Sequence, residues 1–344
     1  MMRTRTSFSF LCMIVLALAV AGVGCPCFRG AVNANEGLRW WLFSNFGASK
    51  VCPEMQKRGM PLKLPALGTN NSVGRFFPVT CQVQVNDAAR TMAVTVTGSG
   101  YALLPVARRV GFYAAISVEY RPDFRLEEDA TYVWGRFSRL LAAPDLRILG
   151  VENKLVSLMT QTPLGDVGTL IGQGVVTSEI ARGFTVVHQD SGDDFALGEL
   201  QPPQRPLRPF TPGKDHVMLA TDVTEVHAAS RDYLGPFPVD GGGAALFVRL
   251  RIAGAPLDYV VVDKQTGDLW RQSYEAGQPI GPPPMAPLSY GTAPIGDSQR
   301  AFPVNAGLYY VVVENKAPSA ALGIPMPFES IGVATYAVEV GDRP

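Results

Sequence analysis

The chain reads as mainly β, with an N-terminal α+β domain followed by a C-terminal β-sandwich or jelly-roll-like domain. Three observations predict this. Apolar and polar residues alternate with period two from Cys81 onward, and short apolar runs separated by Gly and Pro clusters fill the sequence after residue 213. Gly 35 and Pro 28 in 344 residues suit turns and short strands better than long helices. At about 150 residues per domain the length accommodates two. With 47% hydrophobic and 17% charged residues, the chain can bury real cores. Lys+Arg 30 balance Asp+Glu 30, which argues against a nucleic-acid partner, since phosphate binding calls for a basic excess.

Residues 1–34 read as a signal sequence and N-terminal tether. Arg3 and Arg5 precede an almost wholly apolar run from Phe8 to Val23, and Gly24, Cys25 and Pro26 follow. A basic start, an apolar middle and small residues after it form an export signal. A membrane span needs about 20 apolar residues, more than this run supplies. The expected location is therefore outside the cytosol, in a bacterial cell envelope, periplasm or medium. Ala21-Gly22-Val23-Gly24-Cys25 resembles the lipobox of bacterial lipoproteins, in which the cysteine is lipidated and becomes the new N-terminus. Cys25 is then the lipidation site and the link to a membrane. The competing cut follows Val32-Asn33-Ala34 and releases a soluble chain beginning at Asn35. Cysteine parity favours that second cut, because it leaves Cys52 and Cys81 as an isolated pair. Both routes predict a Cys52–Cys81 disulfide in an oxidising compartment.

Residues 36–200 form the expected α+β domain. Trp40, Trp41, Phe43 and Phe46 make an aromatic segment, and Ser49 is a candidate N-cap for a helical turn from Cys52 to Arg58. Cys81, Val83 and Val85 alternate with Gln82 and Gln84, Asn86-Asp87 turn the chain, and Met92, Val94 and Val96 alternate again: an antiparallel hairpin with Cys81 on its apolar face. Phe112 to Tyr120 reads as a strand stopped by Pro122, and Tyr132 to Phe137 as another. Between Val151 and Ile180 the apolar spacing turns helical, with Gly165, Gly168, Gly172 and Gly174 lowering helix propensity. A second hairpin runs from Phe184 to Leu197 around Asp190-Ser191-Gly192.

Residues 201–213 carry Pro202, Pro203, Pro206, Pro209 and Pro212 and read as a semi-rigid interdomain linker. The segment 214–344 is the expected β-sandwich domain. Its strands are read at Val217–Val226, Ala244–Ile252, Leu257–Lys264, Leu269–Tyr274, Leu308–Glu314 and Val333–Val340. The run Gly307-Leu308-Tyr309-Tyr310-Val311-Val312-Val313-Glu314-Asn315 resembles the penultimate strand of jelly-roll modules appended to secreted bacterial enzymes. That resemblance implies fold and carries no activity.

Chemistry-bearing residues are sparse. His188, His216 and His227 have no helix-borne metal spacing. Asp190, Asp193 and Asp194 around Gly192 offer oxygen ligands suited to Ca²⁺, though not in the EF-hand order. Gly296-Asp297-Ser298 resembles the opening motif of a family of esterases, but that motif belongs near the beginning of an α/β domain and here it lies in a β region near the end of the chain. Gly241-Gly242-Gly243 lacks the Lys-Ser/Thr of a phosphate loop. No cofactor or catalytic residue is assigned. The residues point to an exported non-catalytic envelope protein that binds a protein, glycan or lipid partner or serves as a structural module. The alternatives are a carrier of an apolar ligand such as a lipid, and an accessory module of a secreted hydrolase.

Overall fold

Strands occupy 57% of the chain and helices 16%, so the protein is mainly β. The computed structural model describes residues 26–63, 71–104, 108–153, 177–241, 243–317 and 330–343. Cys25 and most of the Gly-rich region between Val151 and Ile180 lie outside the described residues.

The described chain opens with helices α1 (Pro26–Ala34) and α2 (Glu36–Leu42), a π-helical turn (Phe43–Gly47) and α3 (Ala48–Gln56). Asn35 caps α2 by accepting a hydrogen bond from the Leu38 amide at 3.0 Å. Ser49, expected to begin a helix, instead lies inside α3, because the helical run already starts at Glu36 and reaches Ser49 without a break. Then come β1 (Met60–Lys63), β2 (Ser72–Asn86), β3 (Thr91–Leu104), β4 (Arg108–Leu126), β5 (Thr131–Leu140), β6 (Asp145–Val151), the short helix α4 (Thr177–Ala181), β7 (Phe184–Gln189) and β8 (Gly192–Leu197).

β2 and β3 form the expected antiparallel hairpin, with Cys81 opposite Val96, Val83 opposite Val94 and Val85 opposite Met92, and the turn follows Asn86, which itself pairs with Thr91. β4 continues through Pro122, contrary to the sequence expectation. Its pairing with β3 ends at Tyr120, so from there only the β5 flank needs ladder hydrogen bonds, and a residue lacking an N–H is tolerated. One face of these strands (Val94, Val96, Phe112, Ile116) packs against Val32, Phe43, Val51 and Met55 of the helical run in a single core. Asn33 locks α1 to the end of β4: its amide donates to the Leu126 carbonyl at 2.8 Å, and its carbonyl oxygen accepts from the Leu126 amide at 3.0 Å.

The second half comprises β9 (Val217–His227), β10 (Ser230–Val239), β11 (Ala244–Gly254), β12 (Leu257–Asp263), α5 (Lys264–Glu275), β13 (Ser289–Ala293), β14 (Gly296–Pro303), β15 (Gly307–Asn315) and β16 (Ile331–Asp342). The strand expected over Leu269–Tyr274 is helix α5. Asp263 caps it through the Thr266 amide at 2.8 Å, and Thr266, Trp270 and Tyr274 recur at helical spacing on its buried side. β10, missed because of Pro236 and Pro238, is an edge strand whose register slips between Leu234 and Phe237, the two settings in which a sheet accepts proline.

One 12-stranded sheet runs β1-β2-β3-β4-β5-β7-β8-β9-β16-β11-β14, with β6 also paired to β4. β9 touches β2 again at Ser72–Thr224, so the path from β2 to β9 returns on itself. The second sheet is β10-β15-β12-β13. A core between β9, β16, β11 and β14 and this second sheet includes Leu246, Val261, Val311 and Val338. The Pro-rich stretch 201–213 forms no strand or helix and is held by side chains: Arg205 pairs with Asp129 at 2.9 Å, and Thr221 donates to the Leu207 carbonyl at 2.6 Å.

Candidate functional site

Among the described residues, a dense cluster of buried aromatic and charged side chains lies where α5 and the second sheet meet the outer face of β2, β3 and β4. Along β3 the alternation that points Val94 and Val96 inward leaves Ser99 and Tyr101 on the other face. Tyr101 joins Phe77, Tyr233, Trp270, Tyr274 and Tyr310 in an aromatic cluster. Glycines bring the elements into contact. A Cβ on Gly111 would stand 1.8 Å from the Glu275 carbonyl oxygen, and one on Gly150 would stand 2.2 Å from the Ala276 carbonyl carbon. The C-terminal end of α5 therefore rests backbone-to-backbone on β4 and β6.

Four arginines enter this cluster: Arg75, Arg109, Arg231 and Arg271, none more than 5% exposed. Arg75 of β2 forks onto Asp232 of β10, Nε to Oδ1 at 3.1 Å and Nη2 to Oδ2 at 2.8 Å. The Tyr101 hydroxyl donates to the same carboxylate at 2.5 Å and accepts from the Tyr233 amide at 2.8 Å. Burial works to raise the Asp232 carboxyl, but the Arg75 charge and its hydrogen bonds outweigh it and hold that carboxyl below the ordinary 3.8. Arg271 of α5 stacks 4.2 Å over Phe77, pairs with Glu275 and donates to the Ser99 hydroxyl at 3.0 Å. Burial raises the Glu275 carboxyl despite the opposing pull of Arg271. Asp268 accepts from the Tyr310 hydroxyl at 2.8 Å.

The arrangement is a buried ionic junction between the two halves of the chain. A bidentate Arg–Asp pair with a tyrosine on the same carboxylate satisfies both charges in geometry that water would otherwise supply. Composition and spacing could not reveal it, because Arg75 and Asp232 are 157 positions apart in the chain.

The residues singled out in the sequence lie elsewhere. Cys52 of α3 and Cys81 of β2 form a disulfide with Cα atoms 5.4 Å apart. Asp193 faces His188, Oδ1 to Nδ1 at 2.5 Å, and that contact raises the imidazole above its ordinary 6.5. Asp194 pairs with Arg208 at 3.1 Å. The two neighbouring carboxylates thus each answer a cation of the protein, and no group of three metal-ligating side chains occurs among the described residues. His216 pairs with the fully buried Glu339 at 2.8 Å, and His227 with Glu225 at 3.3 Å, so each histidine faces its own carboxylate. Ser298 sits on β14, its hydroxyl 3.5 Å from the Leu250 carbonyl. No known protein family matches the sequence, and no curated protein is significantly similar to it.

Proposed function

We propose that the chain is an exported lipoprotein of a bacterial cell envelope, anchored through Cys25 and acting as a non-catalytic binding or structural module. In this reading residues 36–200 and 214–344 are two units, the second a jelly-roll-like sandwich, joined through 201–213 and welded by the ionic junction.

The observation that carries the anchored form is the integration of α1. Val32 is fully buried in the core, and Asn33 makes two hydrogen bonds to Leu126. A cut after Ala34 would discard both and leave Leu126 backbone groups unpaired, at about 1–3 kcal/mol for each buried one. A cut before Cys25 keeps them. The Cys52–Cys81 bond supports an oxidising compartment. The carrier reading has less support, because Phe43, Val51 and Met55 already fill the apolar face of the sheet on which a lipid would lie.

Palmitate labelling of the full chain in a bacterial host, with intact-mass analysis of the mature product, tests the proposal. Labelling that is abolished by Cys25→Ser and blocked by globomycin is expected. A mature terminus at Asn35 would refute the anchor. An uncleaved Met1 terminus on cytosolic protein, with Cys52 and Cys81 both alkylatable without reductant, would refute export altogether.

A further inference from the structure

One corner of the junction is built differently from the rest. Arg109 of β4 and Arg231 of β10 flank the same ring: their guanidinium carbons lie 4.0 and 5.9 Å from the centre of Tyr274, and Arg231 also stacks 4.2 Å over Trp270. Each has a counter-carboxylate, Glu152 at 3.8 Å from Arg109 and Glu314 at 3.2 Å from Arg231. These do not consume the donors. Nε and Nη1 of Arg109, Nε of Arg231 and the Tyr233 hydroxyl are buried without a hydrogen bond of acceptable geometry. Arg109 is 1% exposed, Arg231 3% and Tyr233 0%, so solvent does not reach them from the surface. Leaving such donors unmade in a buried site is unfavourable.

What covers the corner is a loop. The chain leaving α5 lays Gln278 to Gly281, all exposed residues, over the two arginines. Its main chain supplies the acceptors: Arg109 Nη2 donates to the Gln278 carbonyl at 2.6 Å, Arg231 Nη2 to the Gly281 carbonyl at 3.0 Å, and Trp270 Nε1 to the same Gly281 oxygen at 3.0 Å. Prolines at 279, 282, 283, 284 and 287 stiffen the segment. Neutral carbonyls are weak partners for guanidinium groups, which match the oxygens of a carboxylate or phosphate far better.

We propose that Gln278–Gly281 is a strap over an oxyanion site formed by Arg109, Arg231 and the Tyr233 hydroxyl, and that a carboxylate or phosphate group displaces the strap's carbonyls. The site deepens the reading of the chain as a binding module and does not depend on its compartment. A failure of lipidation would leave it standing, and a failure of anion binding would leave export standing.

Calorimetric titration of the full chain with inorganic phosphate and, separately, succinate tests it and distinguishes the two anion types. Saturable binding of at least one is expected. Loosening the strap with Pro279→Gly and Pro282→Gly should tighten that binding about tenfold, because the closed fraction no longer taxes the affinity. Arg109→Gln or Arg231→Gln should abolish it. Since losing a buried arginine can unfold the chain, amide exchange at Gln278 and across 276–288 in the wild-type protein supplies a second readout. Faster exchange with saturating anion is expected. No saturable binding by either the wild-type or the loosened chain would overturn the proposal. So would binding indifferent to both arginines, or binding that leaves strap exchange unchanged.

Discussion

Arg75 and Asp232 show at the scale of single residues how this molecule holds charge. Replacing Asp232 with Asn would leave the Arg75 guanidinium buried and unpaired, a loss of about 3–5 kcal/mol in unfolding free energy. Removing both partners as Arg75→Met with Asp232→Leu should recover most of it, since breaking a pair costs more than replacing it. Urea midpoints of the three proteins check both expectations. The pair also sets a pH dependence. The folded Asp232 carboxyl lies below its unfolded value near 3.8, so between the two the unfolded chain binds more protons. The contribution is therefore complete above about pH 4 and is lost as pH falls through the lowered folded value. Glu275, raised in the fold, acts with the opposite sign, losing stability as pH rises through its own window. The Asp232 part is isolated by comparing wild type with Asp232→Asn at pH 3 and 7, and the gap between them should narrow at the lower pH. A gap that stays constant would show that folding leaves the carboxyl's proton affinity unchanged, and one that widens at pH 3 would show that the carboxyl is protonated in the fold.

At the scale of elements, α5 carries the contact between the halves, and it was also the clearest misreading of the sequence. Leu269 to Tyr274 follows Thr266-Gly267, which reads as a turn after the strand-like run Leu257–Lys264, although Leu-Trp-Arg-Gln-Ser-Tyr itself has no period-two alternation. The Asp263 cap and the Thr266, Trp270 and Tyr274 spacing describe a helix equally well, and packing against β4 and β15 selects it. The neighbouring strand β4 contributes by what it lacks. A methyl on Gly111 would meet Glu275 main chain, which cannot rotate away, so Gly111→Ala should shift or detach the end of α5. A stability loss of about 1–3 kcal/mol is expected from this overpacking, read as a lowered urea midpoint with a change in near-UV circular dichroism from the tyrosine cluster. A neutral result would mean that α5 is not seated on β4 as described. The β2–β3 hairpin, by contrast, was legible as a hairpin from its period-two alternation, although β2 begins at Ser72, before the alternation that opens at Cys81, and Asn86 pairs with Thr91 instead of turning the chain.

At the scale of the whole molecule, the junction predicts one unfolding transition where two β-rich halves could give two. Arg75, Arg109 and Phe77 belong to the first half, and Asp232, Tyr274 and Tyr310 to the second, so opening the interface strips partners from buried charges on both sides. Coincident far-UV and near-UV transitions are expected for the wild-type chain. Two resolved transitions would mean that the halves are stable apart and that the junction contributes little to either. The contacts of β9 with β2 and β8 carry one hydrogen-bonded sheet across the same boundary.

Local periodicity was enough to determine the β-rich class and most of the long strands, because each depends on residues near in sequence, and the Cys52–Cys81 bond was expected from cysteine count and compartment. The same periodicity also placed His188 and Asp193 in one hairpin, though not opposite each other, where the fold pairs them. The ionic junction, the helix at 264–275, the proline-bearing edge strand β10 and the strap over Arg109 and Arg231 were decided only in three dimensions. An arginine in a strand looks solvated until a carboxylate more than a hundred positions away comes within hydrogen-bond reach, and only the packed fold brings the two together and removes the water between them.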